Sequence, residues 1–292
     1  MLQKIKTVLF LGFLTGCFMM LGLLIGGSTG LTYAFIAALV MNGLMYFFSD
    51  KIALSVYKAQ PLSAQDYPEI HTMVEELARQ MHIPKPKLWI ISSPVANAFA
   101  TGRNPSHASV AFTPSIITLL EPYELRGVIA HELSHVKNRD ILISTIAATL
   151  AAAIGYICNY LQHISMYRAI NGSSQERNNT APLISFLVAL LMPLIAALIQ
   201  LAISRSREYL ADETGAHTCK DPLALASALE KLYLRSQKVH TDSRDVVQAS
   251  FAHLFIVSPL AGSRIASLFS THPPIEQRIK KLRTMFERKD YL

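Results

Sequence analysis

The chain has 292 residues, a formal net charge of +7, 51% apolar residues and only 16% charged ones. A soluble domain is about one quarter charged, so the deficit argues against a wholly soluble protein, and the basic excess fits an anionic lipid leaflet better than nucleic acid. Three cysteines, Cys17, Cys158 and Cys219, form no C-x-x-C pair, which argues against a disulfide framework and against a thiolate metal site.

Four apolar stretches without a charged residue dominate the pattern, at residues 8–27, 31–48, 141–161 and 183–203. Each is close to the ~20 residues that cross a bilayer as a helix. The first begins behind Lys4 and Lys6 but is too long for a cleaved signal and is followed almost at once by the second. Residues 26–30, Gly-Gly-Ser-Thr-Gly, read as a tight turn joining the two into a helical hairpin. The third stretch is milder, with Gly155, Asn159 and many alanines, so that a buried core helix is its competing reading. Lysines and arginines flank the outer ends of these stretches (Lys4, Lys6, Lys51, Lys58, Lys137, Arg139, Arg205, Arg207). The positive-inside rule then puts both termini and residues 49–140 on the cytoplasmic side.

Between the apolar stretches, the spacing predicts an amphipathic helix over 63–81 with Ser63 as its cap and Ile70, Val74, Leu77 and Met81 as its stripe. Strands are expected at 87–92 and 108–113, with a loop or hairpin at 97–105 between them, then one helix over 121–139. Further helices are expected at 205–218, from 222 to 236, and at 274–289. The expected architecture is mainly α with a small β-sheet, a zincin-like domain fused to about four transmembrane helices. Its parts are a membrane hairpin at 1–50, a cytoplasmic part at 51–140, a second membrane hairpin at 141–203 and a cytoplasmic helical part at 204–292.

The chemistry-bearing residues are His131-Glu132-Leu133-Ser134-His135. On a helix, positions i and i+4 stack on one face, so both imidazoles can share one metal. Glu132 sits about 100° around the helix and can reach a water there without binding the metal. This is the H-E-x-x-H pattern of zinc metallohydrolases. A catalytic zinc takes three protein ligands and an open position. Glu208, in Arg207-Glu208-Tyr209-Leu210-Ala211-Asp212, is the candidate third ligand, with Asp212 one turn on to hold the far side of His131. An even number of spans separates the two motifs, so both fall on one membrane side. Glu132 would then act as general base. His272 and Asn97 are candidate donors to a developing oxyanion. Arg205 and Arg207 either orient Glu208, pair with Asp140, or are plain interfacial charges. The strand at 108–113 is the candidate edge for an extended peptide.

Together, residues 131–140, 204–212, Asn97-Ala-Phe-Ala-Thr-Gly102 and Thr271-His-Pro-Pro274 resemble the HtpX-type family of bacterial inner-membrane zinc peptidases, related to the CAAX prenyl proteases. The resemblance covers nearly the whole chain. It implies one Zn2+ per subunit held by His131, His135 and Glu208, with Glu132 catalytic and His272 and Asn97 near the substrate. It also implies polypeptide substrates, foremost misfolded membrane proteins in stress-linked quality control, with no need for a prenyl group. The competing reading is a non-catalytic membrane scaffold or sensor with a structural metal. A transporter would place ionisable groups inside the spans, and these have none.

Overall fold

The computed structural model describes residues 2–93, 95–147, 149, 150, 163, 205–238, 256 and 273–291. The fourth apolar stretch, most of the third, and His272 lie outside the described residues.

Helix α1 (Leu2–Val56) is interrupted at Gly26 and Gly27, the latter at φ 60° and ψ −144°. That left-handed position is open to glycine at no steric cost, and the chain reverses there. A Cβ on Gly22 would come 2.5 Å from the Gly30 carbonyl oxygen, so the two arms touch where both residues are bare. Farther down, Asn42 Nδ2 donates to Thr15 Oγ1 across the arms at 2.9 Å. The hairpin expected from the glycine-rich turn is therefore present. Its second arm, Gly26–Val56, is long and apolar enough to cross a membrane, and it is the single such helix among the described residues. Its side chains face outward, with Tyr33, Ile36, Leu39 and Val40 exposed.

Behind the hairpin come β1 (Gln60–Pro61), α2 (Pro68–Gln80), β2 (Lys87–Ile90), β3 (Ala98–Gly102), β4 (Ala108–Phe112), α3 (Pro114–Leu119) and α4 (Pro122–Asn138). Then follow α5 (Arg205–Cys219), α6 (Pro222–Lys238) and α7 (Ile275–Arg288). Most of the described chain is helical, and the sheet is small and mixed. Helix α2 begins later than the Ser63 cap suggests, because Pro68 sets a new first turn. Ser63 instead caps a short turn by accepting from the Asp66 amide.

The strands are ordered β1-β2-β4-β3. Strand β4 pairs parallel with β2 and antiparallel with β3. The expected loop or hairpin at 97–105 thus contains a strand paired antiparallel with β4, and that strand lies at one edge of the sheet. The expectation that residues 108–113 form the edge is corrected: the parallel crossover to β2 puts β4 inside the sheet, with β3 outside it. The period-2 alternation sorts the two faces. Ala98, Ala100, Val110 and Leu88 join the main core with the helices, whereas Phe99, Ala111 and Ile91 pack with Leu54 and Tyr57 at the end of α1.

Helix α4 is the centre of the fold. A capping box between Glu121 and Glu124 starts it. Gly127 admits the α6 backbone, where an added Cβ would lie 2.9 Å from Leu225 N, and Gly215, on α5, admits the α4 backbone, where one would lie 3.1 Å from His131 N. Both polar stretches of the sequence thereby contribute to one core, which includes Leu77, Val128, Leu133, Ala216, Leu229 and Leu282.

Candidate metal centre

The site is assembled on two buried helix faces. In α4, His131, Glu132 and Ser134 are buried among mostly apolar residues. In α5 the buried stripe is Arg207, Glu208, Ala211, Asp212, Gly215 and Ala216, three of them ionisable. Such a stripe carries more charge than a hydrophobic core would accept, and buried charges require partners. Here the partners lie across the α4–α5 contact.

His131 Nε2 and His135 Nε2 stand 3.2 Å apart, with the rings nearly perpendicular at 89°. Glu208 closes the triangle, its Oε2 3.7 Å from His131 Nε2 and its Oε1 3.7 Å from His135 Nε2. Two donors each about 2.1 Å from one tetrahedral ion stand about 3.4 Å apart. The donor set of two imidazoles and a carboxylate therefore fits a zinc-type ion in both chemistry and spacing. These three side chains form the one His/Cys/Asp/Glu cluster of ligating size among the described residues.

Each imidazole has a carboxylate on its far nitrogen. Asp140 lies 3.2 Å from His135 Nδ1 through both oxygens. Its position follows from the end of α4: Arg139 adopts a left-handed conformation (φ 60°), and the Asp140 amide turns back to donate to the His135 carbonyl. Asp212 Oδ1 lies 3.0 Å from His131 Nδ1. This is ion-pair distance, although the ring N–H points off the line of a full hydrogen bond and leaves Nδ1 without one.

The electrostatics follow from burial and these pairs. Burial, with the nearby charges of Arg278 and His135, depresses the His131 pKa, outweighing the pull of Asp212. Burial acts the same way on His135, but the charge and hydrogen bond of Asp140, with Glu208 and Glu132, overcome it and push its pKa up to about 10. Burial, reinforced by Glu208, pushes Glu132 up to about 8 against the opposing pull of His135. Glu132 accepts one hydrogen bond, from the Ala100 amide of the edge strand at 2.8 Å.

Of the two arginines considered from sequence, Arg205 is exposed. Arg207 is buried and faces Asp140 and Glu208. Helix phase decides this, because residue 207 shares a face with 208, 211 and 212. Asn97 is buried; its Oδ1 accepts from the Ile256 amide at 3.0 Å, and its Nδ2 has no partner among the described residues. Sequence reading missed Arg278. It is fully buried and grips Asp212 by two bonds, Nε to Oδ2 at 2.8 Å and Nη2 to Oδ1 at 2.6 Å. A signal was present: Arg278 sits among Ile275, Ile279 and Leu282 at helical spacing, a charge inside an apolar stripe.

A helix-borne His/Glu/His motif, completed by a carboxylate from a second helix against a small mixed sheet, defines a metallohydrolase type of site. Comparison with known sequences agrees. Residues 64–286 match the model of Peptidase family M48, and the chain belongs to that peptidase family. A protease HtpX homolog of Persephonella marina is 50% identical over 288 residues, spanning 98% of this chain and 99% of that one. Another from Pyrococcus furiosus is 49% identical over 279 residues, 96% of this chain and 94% of that one. Among solved structures, the crystal structure of S. mikatae Ste24p shares the fold with a TM-score of 0.51 at 20% identity, covering 96% of this chain and 65% of that chain.

Proposed function

We propose that the protein is a zinc-dependent endopeptidase of the bacterial inner membrane, acting on misfolded or damaged polypeptides from the cytoplasmic side. The observation that carries this is the triangle of buried His131, half-buried His135 and buried Glu208, with Glu132 beside it. Family membership and full-length similarity to proteases support the reaction class.

His131, His135 and Glu208 would hold the ion. A zinc ion bound there supplies Lewis acidity, polarising a scissile carbonyl and acidifying water. The protein's own groups do the rest. Glu132 takes a proton from the attacking water and delivers it to the leaving amine. The Ala100 amide fixes the Glu132 carboxylate and so sets the direction from which it acts. Asp212 and Asp140 hold the two imidazoles by their far nitrogens. The outer edge of β3 would receive the substrate as an added strand, directly beside Glu132. Asn97, at the start of that strand, has its carbonyl oxygen committed to the Ile256 amide, so its NH2 is left as a donor toward substrate. His272 is proposed as a second donor, on the resemblance of its motif.

The membrane reading rests on the outward-facing apolar hairpin of α1 and on the further apolar stretches at 141–161 and 183–203, which would complete four spans. Metal analysis of the detergent-purified chain tests the central site. One zinc per chain, absent after His135→Ala or Glu208→Gln, is expected. A chain that takes up no metal, or retains it in both variants, would refute the assignment.

A further inference from the structure

Arg278 is a fully buried charge, and nothing in the proposed chemistry requires a cation from the last helix. A buried guanidinium is costly unless its donors are satisfied. Here they are aimed at one place. Nε and Nη2 hold the two oxygens of Asp212, Nη1 donates to the Ile256 carbonyl at 3.4 Å and lies 3.9 Å from Glu208 Oε2, and Nη2 lies 3.5 Å from His131 Nε2. The Asp212 oxygen that takes the shorter of these bonds is also the one beside His131 Nδ1. Ile256 in turn donates its amide to Asn97 Oδ1. One chain of contacts therefore runs from the first residue before β3, through the Ile256 backbone and Arg278, to Asp212 and His131.

We propose that Arg278 is a positioning residue of the metal centre, whose two-point grip on Asp212 sets the plane of His131 and ties that ligand to Asn97 at the head of the edge strand. The proposal rests on the metal reading given above. A planar fork matched to a carboxylate fixes orientation as well as charge, which a lysine ammonium does not. Helix α7 is in this respect a clamp: its Leu282 enters the shared core while Arg278, one turn earlier, enters the site.

The test uses the full chain in detergent, with zinc affinity measured against a chromophoric chelator, the Co2+ absorption spectrum recorded, and helical circular dichroism as the control. Arg278→Lys and Arg278→Gln should each weaken zinc binding by about ten- to a hundredfold and alter the Co2+ spectrum while leaving the dichroism unchanged. Arg283→Gln, on the exposed face of the same helix, should do neither. The double variant Arg278→Gln/Asp212→Asn should lose no more than the worse single one, because both act through His131. Wild-type affinity and spectrum in Arg278→Gln, or additive losses in the double variant, would overturn the proposal. Loss of helical dichroism in both Arg278 variants would overturn it in favour of a purely structural anchor. If the unmodified chain itself bound no metal, the metal reading would fail first and take this inference with it.

Discussion

The amide of Ala100, on the edge strand β3, donates to Oε2 of Glu132, on the central helix α4, at 2.8 Å. The strand that would carry the substrate therefore also fixes the carboxylate that would attack through water. Glutamine can accept the same bond, so Glu132→Gln should keep the geometry and the metal while lowering peptide cleavage by about 10²–10⁴-fold. The same substitution has a pH signature in the metal-free protein. Glu132 holds its proton up to about pH 8 when folded but only to about 4.5 when unfolded. The folded state thus binds the extra proton, and stability falls as pH rises through that window. Glu132→Gln should remove this slope, read as a flatter dependence of the thermal midpoint on pH between about 4.5 and 8.

His135 leads to a second prediction. Its pKa is raised to about 10, and its Nε2 lies 3.2 Å from His131 Nε2, so near neutrality that nitrogen carries a proton shared with its neighbour. Loading an ion requires that proton to leave. Zinc affinity should rise about tenfold per pH unit between pH 7 and 9, with proton release visible as a dependence of titration calorimetry on buffer ionisation enthalpy. The stabilising contribution of protonated His135 to the metal-free chain is full below about pH 6.5 and disappears as pH rises through about 10. Asp140→Asn, which removes the charge holding the proton, should weaken the pH dependence of metal uptake.

Two glycines at the contacts of α4, Gly127 on α4 itself and Gly215 on α5, should separate stability from site geometry. A methyl on Gly127 would meet the α6 backbone at 2.9 Å, and neither helix can yield locally. Gly127→Ala is expected to cost about 1–3 kcal/mol in denaturant unfolding. A methyl on Gly215 would meet His131 N at 3.1 Å and require a shift of a few tenths of an ångström between α4 and α5. Gly215→Ala should therefore reduce metal affinity more than it reduces stability. Equal effects of the two substitutions on metal affinity would contradict this.

Far from the metal, Glu124 is buried between α4 and α6. Burial works to raise its pKa, but hydrogen bonds from Lys231, Ser227 and the Glu121 amide, with the Lys231 charge, lower it overall. A carboxylate whose folded pKa is depressed contributes stability above its unfolded value of about 4.5, and loses it as pH falls through the folded pKa. Unfolding monitored below pH 4.5 should show this loss, and Glu124→Gln should remove about 1–3 kcal/mol at pH 7.

The legible part of the site was whatever one helix could express by itself. Two histidines four apart and a carboxylate–carboxylate pair four apart declare their faces from spacing, and pairing Asp212 with His131 needed only the assumption that those faces meet. What spacing could not express was set by tertiary geometry. Strand order depends on a crossover, so spacing alone points to 108–113 as the edge and leaves 97–105 as a loop or hairpin, whereas β3 takes that edge. Asp140 reaches His135 only because Arg139 ends α4 in a left-handed turn, a conformation that an arginine does not advertise. Spacing places Arg278 only in a last helix at 274–289, since the acid that justifies its burial is 66 residues away.

The most direct measurement is cleavage of an unfolded protein such as casein by the chain purified in detergent with a chelator, with zinc withheld or restored, and with Glu132→Gln alongside. The account predicts cleavage that requires zinc and disappears in Glu132→Gln while that variant still binds the metal. Zinc bound at full occupancy without cleavage, or cleavage undiminished in Glu132→Gln, would contradict it.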